Sequence, residues 1–414
     1  MPAVPFRDRP VLEHIVEQHA EEAAFLWTLR DAATDAPHYK RHHLARLDER
    51  VEAHVDGLRV AGEAGWRIAL EQLERRCEKG ELFAAGVLAL ESGDMRRIEP
   101  LVARAQAEPE ARRGFVGAIA WCRPALLAPA VRAWNASAEG FERYLALCAC
   151  SMHRAETGSR LGALAEDRDA LVRARALRLA GELGRVPHLG ACLEHLNDAG
   201  DAAFWAAWSA VLLGDRGIAL RTLGDAVLAG APHRWTALEV YVRAAAPEHG
   251  VRFIRGLNGD GALRRTVVVA LGHLGDPAAV PWLVERMGDA GLARPAGESF
   301  AMISGADLAY DDLERGTPPG EAMLVPGGGT ADPEVVGDPD EHLPWPDPAL
   351  VRSWWSREHR RFALGERHLL GRPAGAAACE RAFRDGFQRQ RRAAAFEAAL
   401  ARGDAELANW RRRQ

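Results

Sequence analysis

A helix, a break and a second helix recur along the middle of this chain, and that recurrence constrains the fold more than any other feature. Three segments show it most clearly: "ALRLAGELGRVPHLGACLEHLND" from Ala176, "AWSAVLLGDRGIALRTLGDAV" from Ala207 and "VVVALGHLGDPAAVPWLVERMGD" from Val267. In each, an apolar run gives way to Leu-Gly or Gly-Asp, and apolar residues at helical spacing follow. The breaks have a physical reading. Gly184, Gly214 and Gly275 can take the left-handed conformation that ends a helix, Asp215 and Asp276 can cap the next one, and Pro277 suits a first turn that needs no amide donor. Weaker copies begin at Ala84, Val116, Cys148 and Thr236, so the spacing is about 30 residues, within the range of stacked repeats. A single helix pair cannot bury its apolar face alone, so the expected fold is all-α, with pairs stacked on one another.

Three regions follow. Residues 1–83 read as about three helices that cap the array, because a terminal repeat needs an atypical outer face. Residues 84–297 are the repeats, and 298–414 form a C-terminal region. There, Glu298 to Ser304 reads as a helix ended by Gly305, with Asp307 capping a short turn. A Pro/Gly/acid segment, 315–348, comes next and reads as a mobile loop. Its Gly327–Gly329 has no following helix to cradle a phosphate. Its acids Asp332, Glu334, Asp338, Asp340 and Glu341 lack the spacing of a calcium-binding loop.

Helices are then expected from Pro348 to Gly365 and from Ala377 to Ala401. Asp347-Pro348 is a strong helix start, and Val351, Trp354, Trp355 and Phe362 fall at i, i+3, i+4 and i+11 on one apolar stripe. These five residues read as a C-terminal lid on the last repeat rather than as a grip for a partner.

The stretch "ALGHLGDPAAVPWLVERMGD", Ala270 to Asp289, resembles the short subtype of the HEAT family of α-solenoids, and by pattern the resemblance extends over about Ala84 to Asp289. It implies antiparallel helix pairs whose second helices line a concave face. Arg104, Arg132, Arg221, Arg252 and Arg286 lie on expected second helices and are the candidate partner-binding residues. Glu99, Asp225 and Glu285 stand nearby, so a solvated face of mixed charge is expected there.

The C-terminal set "GESFAMISGADL", "PWPDPALVRSWW", "FALGERHLLG" and "GFQRQRRAAAFEAAL" resembles a family of bacterial HEAT-repeat proteins whose genes lie near type VI secretion genes. That family brings no activity or catalytic residues. It implies an adaptor for a protein partner such as an effector, spike or adaptor component. An immunity protein that binds a toxin, or a HEAT-like enzyme acting on nucleic acid, are the alternatives.

Composition narrows these. A net charge of −5 over 414 residues argues against a general nucleic-acid or anionic-membrane binder. Only Lys40 and Lys79 are lysine, so the arginines reflect overall composition rather than phosphate binding. No run of about 18 apolar residues occurs, and the N-terminus carries charges where a secretory leader is apolar, so a cytoplasmic location is expected.

No catalytic motif is found, and neither a metal nor a cofactor is expected. His38 and His42 stand at i, i+4 without a carboxylate partner, and the His-Glu dyads of HEAT-like iron hydroxylases are absent. The six cysteines, Cys77, Cys122, Cys148, Cys150, Cys192 and Cys379, lack paired metal-site spacing and read as free and mostly buried.

Overall fold

The computed structural model describes residues 11–156, 160–317 and 338–414. Among these the chain is all-α, with helices α1 to α21 in order. The only strands among the described residues are β1 (His368–Leu369) and β2 (Arg372–Pro373), a two-residue antiparallel pair. There are two compact units. The first holds the chain up to Asp35, Tyr39–Ser209 and Arg411–Gln414; the second holds Ala36–His38 and Ala210–Trp410. The division falls inside α12 (Asp201–Leu212), within the stretch read as repeats.

In the first unit, α1 (Glu13–Ala33), α2 (Arg41–Ala61) and α3 (Glu63–Arg75) precede the helix pairs. These pairs are α4 (Lys79–Ser92) with α5 (Met95–Ala107), α6 (Arg112–Trp121) with α7 (Pro124–Ala136), α8 (Gly140–His153) with α9 (Leu161–Ala165), and α10 (Ala170–Glu182) with α11 (Leu189–Glu194). The first helices α4, α6, α8 and α10 pack side by side in succession.

That arrangement explains why α4 is apolar all round: every residue from Leu82 to Leu90 is buried. Partner helices lie on one side of it, and α1 and α3 cover another. Trp27 of α1 stacks on Phe83 of α4 at 4.7 Å between ring centres. The same indole lies against Gly117 of α6, where a Cβ would come within 2.0 Å of the ring. The N-terminal helices thus lie along the first helices, with glycine leaving the room for the tryptophan.

The second unit contains α13 (Ile218–Leu228), α14 (Arg234–Ala244) with α15 (Pro247–Leu257), α16 (Arg264–Leu274) with α17 (Val280–Arg286), and α18 (Ala293–Ser304). After these come α19 (Pro348–Glu358), α20 (Ala376–Asp385) and α21 (Gln388–Arg402). Helices α14, α16 and α18 pack in succession, and α21 lies on α14. The single helix expected from Ala377 to Ala401 is two. Gly386 takes an extended conformation after α20, and the side chain of Gln390 accepts from the Phe387 amide to start α21. Likewise, helix α19 stops at Glu358, and a single 3-10 turn, His359–Arg361, replaces its expected continuation.

The segment around β1 runs across two helix ends. His368 N donates to Gly275 O (2.8 Å), Leu370 N to Met302 O (2.8 Å) and Gly371 N to Ile303 O (2.9 Å). Carbonyls at a helix C-terminus have no partner inside the helix, so this segment completes α16 and α18. Gly275 and Gly305 therefore do two things. Each has a left-handed φ, +75° and +74°, and a Cβ would meet His368 O at 2.5 Å or Leu370 C at 2.6 Å. The first role was legible in the sequence; the second comes from a segment far along the chain.

Part of the acidic stretch is fixed, which corrects the reading of 315–348 as one mobile loop. Its two sides are joined where Arg315 N donates to Trp345 O and Asp347 N to Leu313 O, both at 2.8 Å. Asp340 is buried and accepts both Nη groups of Arg265, one at 2.9 Å. Arg294 donates to Asp340 O (2.8 Å) and Asp338 (2.6 Å), and its guanidinium lies 4.8 Å from the Trp345 ring centre. Charge-assisted bonds and a buried indole hold 338–347 in place. Gly327–Gly329, Asp332 and Glu334 lie outside the described residues.

Candidate functional site

Second helices bury one stripe and expose the other. Helix α5 buries Ile98, Leu101, Val102 and Ala105, leaving Arg104 exposed. Helix α7 buries Leu127, Ala130 and Trp134 and leaves Arg132 exposed, as is Leu126 six residues earlier. In the second unit, Arg221 of α13 and Arg252 of α15 are exposed in the same way, and Ile218 and Leu228 of α13 are exposed apolar residues. Arg286 of α17 is half-buried, 3.4 Å from Glu285 and 5.2 Å from the centre of the Trp282 ring.

The mixed-charge expectation is met in distance only at that last position. Among the described residues no carboxylate lies within 4 Å of Arg104, Arg132, Arg221 or Arg252, so Glu99 and Asp225 leave Arg104 and Arg221 unpaired. Each unit therefore presents guanidinium groups without a carboxylate partner on its second helices, and in α13 Ile218 and Leu228 stand at i−3 and i+7 from Arg221.

The five C-terminal residues sit together. Asp347 Oδ1 accepts from Ala349 N (2.8 Å) and Leu350 N (3.1 Å), capping α19. Val351 is fully buried, and Trp354 and Trp355 turn edges toward Phe300 of α18 at 5.5 and 6.5 Å between centres. Phe362, outside the helix, packs on Trp355 at 5.0 Å. Both tryptophans are half-buried and belong to the cluster that joins α17, α18 and α19.

Other candidates are placed as follows. The His38 ring packs against His342 at 4.3 Å, and His43 Nδ1 accepts from Lys40 N. Among the described residues no group of three or more His, Cys, Asp or Glu is placed to hold a metal. All six cysteines are free, and five are buried. Burial pushes the Cys379 thiol up to about 11 and Cys192 to about 12, so neither is a thiolate at neutral pH. No described helix is long and apolar enough to cross a membrane.

Two buried ionic sets escaped the sequence reading. In the first unit, Glu182 of α10 accepts from Ser151 Oγ (2.6 Å), Arg175 (2.6 Å) and Arg178 (2.8 Å), with Arg154 at 3.9 Å. Burial opposes its charge, but the arginines outweigh burial and hold the carboxyl well below the ordinary range. Arg178 also lies 4.0 Å from the centre of the Trp205 ring. Arg175, Arg178 and Glu182 stand at i, i+3 and i+7 inside an apolar helix. Charged residues on a core helix were the available signal.

In the second unit, α14 and α21 meet through charge. Arg392 Nε lies 2.8 Å from Glu239, while Arg243 and Arg367 both donate to Glu397 Oε2, at 3.1 and 2.8 Å. His273 is held neutral by burial and by Arg243, Arg392 and Arg367 around it. Its Nδ1 lies 3.2 Å from Arg243 Nη2. Comparison of the chain with family models, curated proteins and solved structures finds no match.

Proposed function

We propose that this protein is a non-enzymatic interaction scaffold, a stack of HEAT-like helix pairs that binds a protein partner through the exposed faces of its second helices. One observation carries the reading. Arg104, Arg132, Arg221 and Arg252 are exposed and have no carboxylate within 4 Å among the described residues, whereas the described arginines of the first helices are largely committed to internal carboxylates and carbonyls. Unpaired guanidinium groups near exposed apolar side chains suit an acidic protein surface, since charge complementarity speeds encounter and arginine is enriched at interface cores. On the resemblance of the C-terminal motifs, the partner is an effector, spike or adaptor component of a type VI secretion system, held by the scaffold in the cytoplasm before loading.

The test is co-expression of the tagged chain with the products of neighbouring genes, followed by size-exclusion chromatography. One such product co-elutes with the wild-type chain and is lost from R104E/R132E/R221E/R252E at unchanged melting temperature. Elution of the chain alone, or capture indifferent to the four substitutions, overturns the proposal. Binding of duplex DNA with a steep salt dependence would instead favour a nucleic-acid groove.

A further inference from the structure

A cavity of about 600 Å³ in the second unit is lined by Arg216, Arg243, Arg367, His249, the backbone turn Ala244–Ala246 and the end of α21 at Leu400 and Ala401. Its volume lies within the usual range for a small-molecule site. Three guanidinium groups line it, and Glu397 is the only carboxylate among the lining residues.

Most of the bonds these arginines make leave their charge unneutralised. Arg216 donates to Val211 O (2.6 Å) and Leu400 O (3.1 Å), and Arg367 donates to Arg243 O (2.7 Å) and Leu274 O (3.2 Å). Glu397 Oε2 answers both Arg367 and Arg243 with charge, and Glu239, which does not line the cavity, answers Arg243 alone. Asp215 is nearby, but its Oδ1 is engaged by Gly217 N and Ala219 N at the start of α13. Burial pulls the Arg367 guanidinium below its ordinary range despite Glu397, as expected of a cation short of countercharge.

Arg243 is more than nine-tenths buried, and its Nε faces Glu239, outside the lining, at 3.8 Å. The 11-residue helix α15 also begins at this wall. Ala246 is its N-cap, Pro247 follows, and no side chain caps it. Pro247 has no amide donor and His249 N already donates to Ala246 O (2.9 Å), which leaves the Glu248 amide as the first-turn donor open to an anion. Glu248, in the same turn, is exposed and does not line the cavity.

The geometry points to a binding site for a small molecule bearing an oxyanion, phosphate or carboxylate, held between Arg216, Arg243, Arg367 and the N-terminus of α15. It is distinct from the exposed second-helix arginines and does not depend on their role.

Ala246 offers a test that does not threaten folding, because it is exposed, lines the cavity and stands where a carboxylate caps a helix. Melting temperatures of the full chain are measured against orthophosphate, succinate and chloride at matched ionic strength. Orthophosphate or succinate raises the wild-type melting temperature saturably, by about 2–4 °C at about ten times Kd, and chloride does not. Whichever oxyanion acts names the headgroup. Ala246→Asp, which places its own carboxylate there, melts higher without any anion and no longer responds. Ala246→Ser, which caps without charge, keeps the response. No oxyanion-specific shift in the wild type, or an undiminished shift in Ala246→Asp, overturns the site.

Discussion

First and second helices of the pairs follow different rules. Helices such as α4, α8 and α10 are buried on nearly every side, and the charges they carry point at internal partners: Arg143 of α8 at Asp167, Arg175 of α10 at Glu182. Helices such as α5, α7 and α13 bury one stripe and leave Arg104, Arg132 and Arg221 in water with no carboxylate within 4 Å among the described residues, while Arg96 and Arg97 of α5 meet Asp94 and Glu63. The same residue type thus serves as an internal pin in one set and as a free surface group in the other. Arginine content alone says little about function; which helix of the pair carries it says more.

The largest effect expected from breaking this contrast lies at Glu182. Replacing it by Gln leaves Arg175 and its neighbours without their countercharge in a buried site, costing about 3–5 kcal/mol of stability in urea denaturation. A loss under about 1 kcal/mol would mean that the first helices are not pinned by charge. Sign follows from the depressed carboxyl: the stabilisation is present above the ordinary carboxylate range and is lost as the pH falls below it.

Smaller is the expected effect of W354A/W355A, which strips two half-buried indoles from Phe300 and the end of α18. About 2–4 kcal/mol is expected, read as a lower melting temperature. If partner binding is lost instead, in a variant of wild-type stability, the tryptophans belong to the interaction surface and the lid reading falls.

His273 of α16 tests the contrast through pH. Its pKa is lowered in the folded chain, so below about 6.5 the unfolded chain takes up a proton that the folded one refuses. This residue therefore removes up to about 1.4 kcal/mol of stability per pH unit as pH falls, until its own folded pKa is reached. His273→Gln should flatten the stability profile between pH 6.5 and 5 by that amount; an unchanged profile would show that the imidazole is not buried among arginines.

At the second helices, charge reversal of Arg132 or Arg221 should change stability by no more than about 0.5 kcal/mol, as at any solvated position. A larger loss would place these groups in the core after all.

Local features were legible in the sequence because their causes are local. Gly275-Asp276-Pro277 ends one helix and starts the next through its own backbone and carboxylate: φ is +75° at the glycine, and Asp276 Oδ1 accepts from Ala278 N at 2.9 Å. The exposed position of Arg104 followed from the apolar stripe on the other side of α5. By contrast, Ser151 reaches Glu182 across a helix pair, Arg265 reaches Asp340 from 75 residues away, and His368 completes the end of α16. Periodicity says that a helix has a buried face and stays silent about which distant segment covers it. For that reason the contacts that hold 338–347 and the cavity beside α15 were both missed.

Hydrogen–deuterium exchange on the purified complex, compared with the free chain, tests most directly whether binding is carried by the second helices. Protection should appear in peptides covering α5, α7, α13 and α15, with α4, α8 and α10 slow to exchange in both states. Protection confined to α1 or α19, with the second helices unchanged, would contradict the account.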